Sequence, residues 1–309
     1  MIKKFFKWLM VIILVLTMMV GLVMFKFYYD MKQTINGAYQ PIERIASGIS
    51  ENKVDLMKKD PFSVLILGID TGEYGRKDTG RSDTILVATV NPRKKTTTFM
   101  SIPRDTYTEI VGKNKQDKIN HAYAFGGTAM SVATVEKFLN VPINYYISVD
   151  MGGFEKIIDL LGGVYVNNDM KFEQEGNTFN IGRISLTGKQ VLPYVRMRYD
   201  DPTGDYGRQK RQRFVLKGIT EKVTSLHGLV SVEKILETAG DALQTNLNFK
   251  EISEIFFQYR PAIKHVDSEQ IQGTELKLNN ISYQQIADEK LQHAQHKLRE
   301  QLELPTVDH

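Results

Sequence analysis

The sequence contains no cysteine and few of the features that mark unusual classes of chain. Without cysteine there is no disulfide, no thiol nucleophile, no thiolate zinc site and no lipid-modified cysteine anchor. The 9 prolines and 23 glycines form no low-complexity segment, and no period repeats along the chain, which excludes solenoids. The 309 residues, 42% hydrophobic and 25% charged, are therefore ordinary globular material with one large core or at most two small ones.

The net charge is small as well, at +4. This value gives no argument for nucleic acid as a partner, so the positions of the arginines matter more than their number. They cluster between residues 196 and 213, where we expect no exposed aromatic side chains between them. We therefore predict no nucleic-acid partner.

One long apolar run, Trp8–Phe25, contains no charged residue. With its flanks it is long enough for a membrane-spanning helix over 8–28. Lysines within residues 1–7 place that tail in the cytoplasm and the rest of the chain outside the cell. The alternative is a cleavable signal peptide, which the bulky residues 26–29 disfavour because signal peptidase prefers small side chains.

The remaining chain divides into a polar stalk over 29–60 and a folded domain over 61–305. Phe62–Ile69 is a near-continuous apolar run typical of a buried strand, and 84–90 and 96–102 predict a hairpin. Another strand is expected at 144–150, and one starts at 164. Helical spacing is found at 128–139, 153–161, 186–198, 208–223, 232–243, 250–259 and 282–302. This mixture predicts an α/β fold with helices on both faces of a mixed central sheet.

Two carboxylates lie where neighbouring strands end and begin. Asp70 follows the first strand, and Asp83 lies at the start of the second, after a glycine-rich loop. Paired carboxylates suit Mg²⁺, which completes its octahedron with substrate phosphates and water. The alternative is that both are ordinary turn residues.

Arginines mark two further segments. Arg104 leaves the third strand in the sequence SIPRDT, and the densest cationic stretch runs from Arg196 to Arg213. On a helix, Arg208, Arg211 and Gln212 would share one face. Planar guanidinium groups suit bidentate phosphate contacts, so a diphosphate is the expected ligand, whereas a solvated basic helix face is the alternative.

Taken in order, the segments GID, GRSDT, SIPRDT, KINHAY, VDMGGFEKIIDLLGGV and VRMRYDDPTGDYGRQKRQR resemble the LytR-CpsA-Psr family from Phe62 to about Lys222. The similarity is greatest to its teichoic-acid-transferring branch. The resemblance implies a three-layer α-β-α domain with an apolar pocket for the lipid of a polyprenyl diphosphate. It also implies a dependence on Mg²⁺, with Mn²⁺ as a substitute.

The resemblance also assigns roles to residues. Asp70 and Asp83 correspond to metal ligands, and Asp205 to an acidic residue that orients the arginines. Diphosphate contacts correspond to Arg81, Arg104, Arg196, Arg198, Arg208 and Gln212, with Arg211 as a further contact. The catalytic set is Asp83, Arg104, Asp105 and Asp205.

The implied reaction transfers an anionic glycopolymer, such as wall teichoic acid, from its polyprenyl diphosphate carrier to a peptidoglycan hydroxyl. Asp83 or Asp105 is a candidate general base, and His121 is another, although a lone histidine also suits a structural hydrogen bond. Two other functions remain open: hydrolysis of the lipid-linked precursor, and a non-catalytic envelope sensor that binds it.

Overall fold

The structure is a computed structural model that describes residues 38–49, 53–70, 80–223 and 240–305. The predicted cytoplasmic tail and membrane helix, 1–7 and 8–28, lie outside the described residues. Within the described ranges, no helix has the length and apolar character needed to cross a bilayer.

Fourteen strands and six α-helices are found in the described residues. The strands are β1 (Phe62–Asp70), β2 (Arg81–Asn91), β3 (Thr96–Ile102), β4 (Tyr107–Ile110), β5 (Lys115–Lys118), β6 (Tyr145–Asp150), β7 (Val164–Asn168), β8 (Phe172–Gln174), β9 (Asn177–Phe179), β10 (Gly182–Leu186), β11 (Leu243–Thr245), β12 (His265–Gln270), β13 (Thr274–Leu278) and β14 (Ile281–Gln285). The helices are α1 (His121–Leu139), α2 (Met151–Leu160), α3 (Gly188–Arg196), α4 (Asp205–Val223), α5 (Phe249–Gln258) and α6 (Asp288–Gln301).

The central sheet has six strands in the order β11-β6-β1-β2-β3-β12. β1 pairs antiparallel with β2 and parallel with β6, and β3 pairs antiparallel with β2 and parallel with β12. The sheet is therefore mixed, and the predicted β2–β3 hairpin is confirmed.

Strand β1 is buried on both faces, as its continuous apolar run predicts. Leu65 and Leu67 pack with α1 and α6 on one face, whereas Phe62 and Val64 lie in a cluster with residues of α4 and α5. Helices thus cover both faces of the sheet. The predicted mixed α/β fold is confirmed.

Two helix predictions are wrong in part. Residues 282–285 form the end of β14, which pairs antiparallel with β13 across two asparagines with positive φ, Asn279 and Asn280. The helix begins only at Asp288, because the hairpin satisfies the backbone before that point. Of the predicted helix 232–243, residues 232–239 lie outside the described residues, 240–242 form a 3₁₀ turn, and Leu243 begins β11.

The described part of the segment predicted as a stalk packs against the domain. Arg44 Nη1 lies 2.9 Å from Glu136 Oε1 on α1, and Ser47 Oγ donates to Glu136 Oε2 at 2.8 Å. Tyr39 forms a parallel bridge with Thr245 of β11. Residues 38–49 are therefore fixed to both the edge of the sheet and α1.

Candidate active site

A cavity of about 440 Å³ opens beside the end of β1. Its apolar wall is formed by residues of β1, β6 and the helices α2, α3 and α4, namely Ile66, Val149, Phe154, Leu192, Val195 and Leu216. Its polar residues include Asp70, Asp83, Arg104, Arg196, Arg198, Arg208 and Gln212. Seven predicted site residues are therefore brought to one cavity.

The lining of this cavity changes from apolar to charged along both β1 and α4. Along β1 the lining changes from Ile66 to Asp70, and along α4 it changes from Leu216 through Gln212 to Arg208. These α4 residues are spaced four apart and lie on one helix face. The cavity is therefore apolar at one end and charged at the other.

A bulge directs Asp83 toward this cavity. Gly68 pairs with Thr84 and Ile69 pairs with Ser82, so Asp83 is the extra residue of β2. An extra residue bends its strand and changes the direction of a side chain, and such bulges are common beside active sites. The apolar pattern of β2 predicts the strand but not this irregularity.

A close backbone approach holds the other carboxylate. Gly80 has a φ of +75°, and a Cβ there would lie only 2.4 Å from the carbonyl oxygen of Asp70. Only glycine fits this contact. Gly80 therefore lets the beginning of β2 approach the end of β1 and brings Asp70 close to Asp83.

Arg104 lies among carboxylates. Its Nη1 is 2.8 Å from Asp83 Oδ2, and its Nε is 3.7 Å from Asp105 Oδ2. Burial opposes the charge of Arg104, but the negative charges of Asp83, Asp105 and Asp205 outweigh it and raise the pKa of the guanidinium. Arg104 therefore stays charged, and it lies between the predicted metal ligand Asp83 and the other arginines of the cavity.

Arg208 lies deeper, at the beginning of α4. Its Nη2 is 2.8 Å from Asp205 Oδ1 and donates a long hydrogen bond of 3.4 Å to the carbonyl of Asp83. Burial lowers the pKa of Arg208, although the nearby carboxylates of Asp205 and Asp83 oppose this shift. Asp205 lines neither cavity but holds Arg208, as the family resemblance implies for this position.

Arg198 and Arg196 complete the charged end. Arg198 Nη2 donates to the hydroxyl of Tyr199 at 2.6 Å, and its guanidinium lies 4.6 Å from the centre of that ring. Arg196 donates to the sulfur of Met151. Tyr199 is 86% exposed, so the expectation of no exposed aromatic residue in this stretch is wrong.

A second cavity of about 270 Å³ lies beside the charged end of the first. It shares Asp70, Asp83 and Arg104 with the first cavity and adds Arg81, Asp105, Lys118, Asn120 and His121. Lys118 Nζ lies 2.7 Å from Asp105 Oδ1. We call the two spaces the apolar cavity and the polar cavity.

Arg211, like Asp205, is a predicted site residue that lines neither cavity. Its Nη1 lies 2.6 Å from Asp201 Oδ2, it donates to the carbonyl of Met197, and it packs 5.2 Å from the centre of the Phe172 ring. Its side chain is 3% exposed. Helical spacing placed it with Arg208, but the loop before α4 provides a buried carboxylate for it instead.

The residues of the apolar wall, and Lys118, Asn120 and Asp117, were not predicted from the sequence. Part of the apolar wall could have been predicted from α4. Arg208, Gln212 and Leu216 are spaced four apart on one helix face, so the apolar Leu216 would line the same cavity as Arg208. Asp117 could not be predicted in this way, since it lies on β5 and meets His121 only where that strand leads into α1.

The donor set fits Mg²⁺. Two carboxylates, Asp70 and Asp83, line both cavities, and within the described ranges no group of three or more histidine, aspartate or glutamate side chains is placed to hold a metal. Mg²⁺ is usually held by one or two carboxylates together with substrate phosphates and water, so a third protein ligand is not needed.

The family model of LytR_cpsA_psr matches residues 26–300. The chain belongs to the LytR-CpsA-Psr family.

Three similar proteins place it within that family. A protein of Enterococcus faecalis named polyisoprenyl-teichoic acid–peptidoglycan teichoic acid transferase TagU is 47% identical over 97% of this chain and 98% of its own. The crystal structure of B. subtilis TagU is 41% identical with a TM-score of 0.65, covering 81% of this chain and all of that one (100%). A structure of TagT bound to LIIa-WTA is 31% identical with a TM-score of 0.70, covering 85% of this chain and 97% of that one. The predicted family is confirmed.

Proposed function

We propose that this LytR-CpsA-Psr protein transfers an anionic glycopolymer, wall teichoic acid by its branch of the family, from a polyprenyl diphosphate carrier to a peptidoglycan hydroxyl. The observation that carries the proposal is a single cavity with an apolar wall and a charged end, where four arginines lie beside Asp70 and Asp83. The names of its relatives, TagU and TagT bound to LIIa-WTA, support the same reaction.

The cavity matches the two chemical parts of a lipid diphosphate. The polyprenyl chain would contact Ile66, Phe154 and Leu216, because burial of its apolar surface is favourable by about 25 cal/mol per Å². The diphosphate would meet the guanidinium groups of Arg104 and Arg208, which suit bidentate phosphate contacts. A free sugar phosphate would leave the apolar wall without a ligand.

In phosphoryl transfer the protein mainly positions the reactants and stabilises charge. Arg104 and Arg208 would hold the diphosphate oxygens, and Asp205 would fix Arg208 in place. The acceptor hydroxyl attacks the polymer-proximal phosphorus and expels polyprenyl phosphate. Arg196, Arg198 and Gln212 would orient the remaining head group at the mouth of the cavity.

Asp70 and Asp83 would hold Mg²⁺, or Mn²⁺ in its place, and the metal would neutralise phosphate charge on the leaving group. Arg104 contacts Asp83, so this residue links the metal ligands to the arginine group. The apolar helix expected at 8–28 would anchor the chain in the cell membrane, with the active site on the extracellular face where peptidoglycan lies.

Two other outcomes use the same geometry. Water in place of the sugar hydroxyl would make the protein a diphosphatase or phosphodiesterase, and binding without turnover would make it a sensor. The paired carboxylates beside the phosphate site favour a catalyst over a sensor, because a pure binder needs no metal at the leaving group.

The test uses the full-length chain in detergent with Mg²⁺, a synthetic polyprenyl-diphosphate-linked teichoic acid precursor and peptidoglycan oligomers. Release of polyprenyl phosphate and the mass of the acceptor are followed together. Asp83→Ala is the test variant, and Asp288→Ala, at an exposed position on α6 outside both cavities, is the matched control.

We expect a metal-dependent acceptor adduct that Asp83→Ala abolishes and Asp288→Ala retains. Carrier release without an adduct would instead indicate hydrolysis. Carrier binding without any turnover would identify a sensor.

A further inference from the structure

Every residue that lines only the polar cavity is polar, whereas the apolar cavity also has an apolar wall. Beyond Asp70, Asp83 and Arg104, the polar cavity is lined by Arg81, Asp105, Lys118, Asn120 and His121. An apolar chain would gain nothing there, whereas a hydroxyl-rich sugar would find both donors and acceptors. The two cavities meet at the three side chains where the diphosphate is expected.

His121 is held in this cavity by Asp117. Its Nδ1 lies 2.9 Å from Asp117 Oδ1, and its ring packs edge-on against Phe125 at 5.8 Å between centres. Lys115 Nζ lies 2.9 Å from the other carboxylate oxygen of Asp117, and the amide of Lys118 donates to Oδ1 at 2.8 Å. Burial alone would raise the pKa of Asp117, but these donors lower it, so the carboxylate stays ionised.

In the neutral imidazole, the tautomer that donates Nδ1–H to the ionised Asp117 leaves Nε2 of His121 with a lone pair. Among the described residues, no hydrogen bond or ion pair engages this Nε2. The other candidate bases are committed, because Asp83 is paired with Arg104 and Asp105 with Lys118. A proton on either carboxylate would weaken an ion pair, whereas a proton on His121 would strengthen its contact with Asp117.

We infer that the polar cavity binds the acceptor sugar, and that His121 Nε2 is the base for its hydroxyl with Asp117 as the positioning residue. This inference rests on the proposed transferase function. The hydroxyl proton passes to Nε2 while its oxygen forms the new bond to the polymer-proximal phosphorus. The bond from that phosphorus to the bridging oxygen breaks, and polyprenyl phosphate leaves with the electron pair. His121 then releases its proton to solvent.

The arrangement follows the logic of a nucleophile and a base oriented by a third group. Its parts are the acceptor hydroxyl, His121 and Asp117. The sequence showed no dyad partner for His121, and the structure supplies one in Asp117.

The test compares three variants of the full-length protein in the transfer assay described above. His121→Gln removes the base, and Asp117→Asn removes the carboxylate that positions it. His296→Gln is the matched control, since His296 is exposed on α6 and lines neither cavity. Carrier affinity is measured separately by displacement of a labelled polyprenyl diphosphate.

Loss of a general base lowers the rate by about 10²–10⁴-fold, so kcat of His121→Gln should fall by this factor. Its carrier affinity should stay at the wild-type value, and Asp117→Asn should show a smaller loss of kcat. The control should match the wild type in both measurements.

A His121→Ala variant separates chemistry from structure. Its shortened side chain leaves room beside the polar cavity, so added imidazole should restore part of the transfer rate if a base is what was lost. Imidazole should not restore Asp83→Ala.

Wild-type turnover with unchanged kcat in His121→Gln would overturn the inference and leave the proposed function standing. A His121→Gln variant that loses carrier affinity, with no rescue of His121→Ala by imidazole, would assign His121 a structural role and overturn it too. A wild type that forms no adduct would instead contradict the proposed function itself.

Discussion

Two kinds of arginine lie within a few residues of each other on α4. Arg208 lines the apolar cavity, whereas Arg211 and Arg213 line neither cavity. Arg211 is paired with Asp201, and Arg213 donates to Ser101 at 3.0 Å and Gln270 at 2.8 Å. Burial lowers the pKa of Arg213 to about 10. A guanidinium enclosed by protein partners stabilises the fold, while one beside a cavity is available to a ligand.

The largest effect is expected from Arg211→Met. Removal of one partner of a buried ion pair leaves the other charge uncompensated, so the free energy of unfolding should fall by about 3–5 kcal/mol. Denaturant unfolding measures the loss, and transfer activity per folded molecule should stay close to the wild type.

The double variant Arg211→Met with Asp201→Leu should recover much of this stability, because no buried charge remains unpaired. A stable Arg211→Met variant that no longer binds the carrier would mean that Arg211 contacts the substrate after all.

Arg208→Gln should behave in the opposite way. Removal of one group that stabilises developing charge lowers kcat by about 10²–10³-fold, so transfer should fall by that factor. The free energy of unfolding should change much less than in Arg211→Met, since Asp205 keeps a hydrogen bond from Gln209 at 2.9 Å. Equal loss of stability in the two variants would remove the distinction between them.

Asp201 is one group through which acid should destabilise the fold. Burial opposes its charge, but hydrogen bonds from Thr203 and the ion pair with Arg211 lower its pKa below the ordinary value of 3.8. A carboxyl group with a lowered pKa in the folded state stabilises the protein above its unfolded pKa, and the gain is lost as the pH falls through the folded value.

The free energy of unfolding should therefore decrease as the pH falls below about 4, the ordinary range of an aspartate. Asp201→Asn should be less stable at neutral pH and should show a flatter dependence on acid. An unchanged slope in this variant would assign the acid sensitivity to other carboxylates.

Local patterns predicted much of the fold. The apolar run of β1 and the turn between β2 and β3 are properties of consecutive residues, so the sequence alone located them. β14 was predicted as helix because its apolar residues also fit helical spacing. Its pairing with β13, which decides the outcome, depends on the turn at Asn279 and Asn280.

Residue types predicted which side chains belong to the site. They did not predict which of these side chains line a cavity and which are buried against other protein groups. Helical spacing groups Arg208 with Arg211, but Asp201 takes Arg211 away through a contact that spacing cannot reveal. Gly207 shows how close this contact is, because a Cβ there would lie 1.8 Å from Asp201 Oδ2. The partner of His121 was missed for the same reason, since Asp117 belongs to a different element.

The smallest effect on the free energy of unfolding is expected from an exposed ion pair that lies away from both cavities. Lys137 Nζ lies 2.7 Å from Glu109 Oε1, and the two side chains are 47% and 46% exposed. Exposed pairs contribute about 0.2–1 kcal/mol, because water already solvates both charges and holding the side chains together costs entropy. A double-mutant cycle of Lys137→Ala and Glu109→Ala should give a coupling in this range that shrinks in high salt. A coupling as large as that of Arg211 and Asp201 would mean that distance alone, and not enclosure by protein, sets the contribution of a charged pair in this fold.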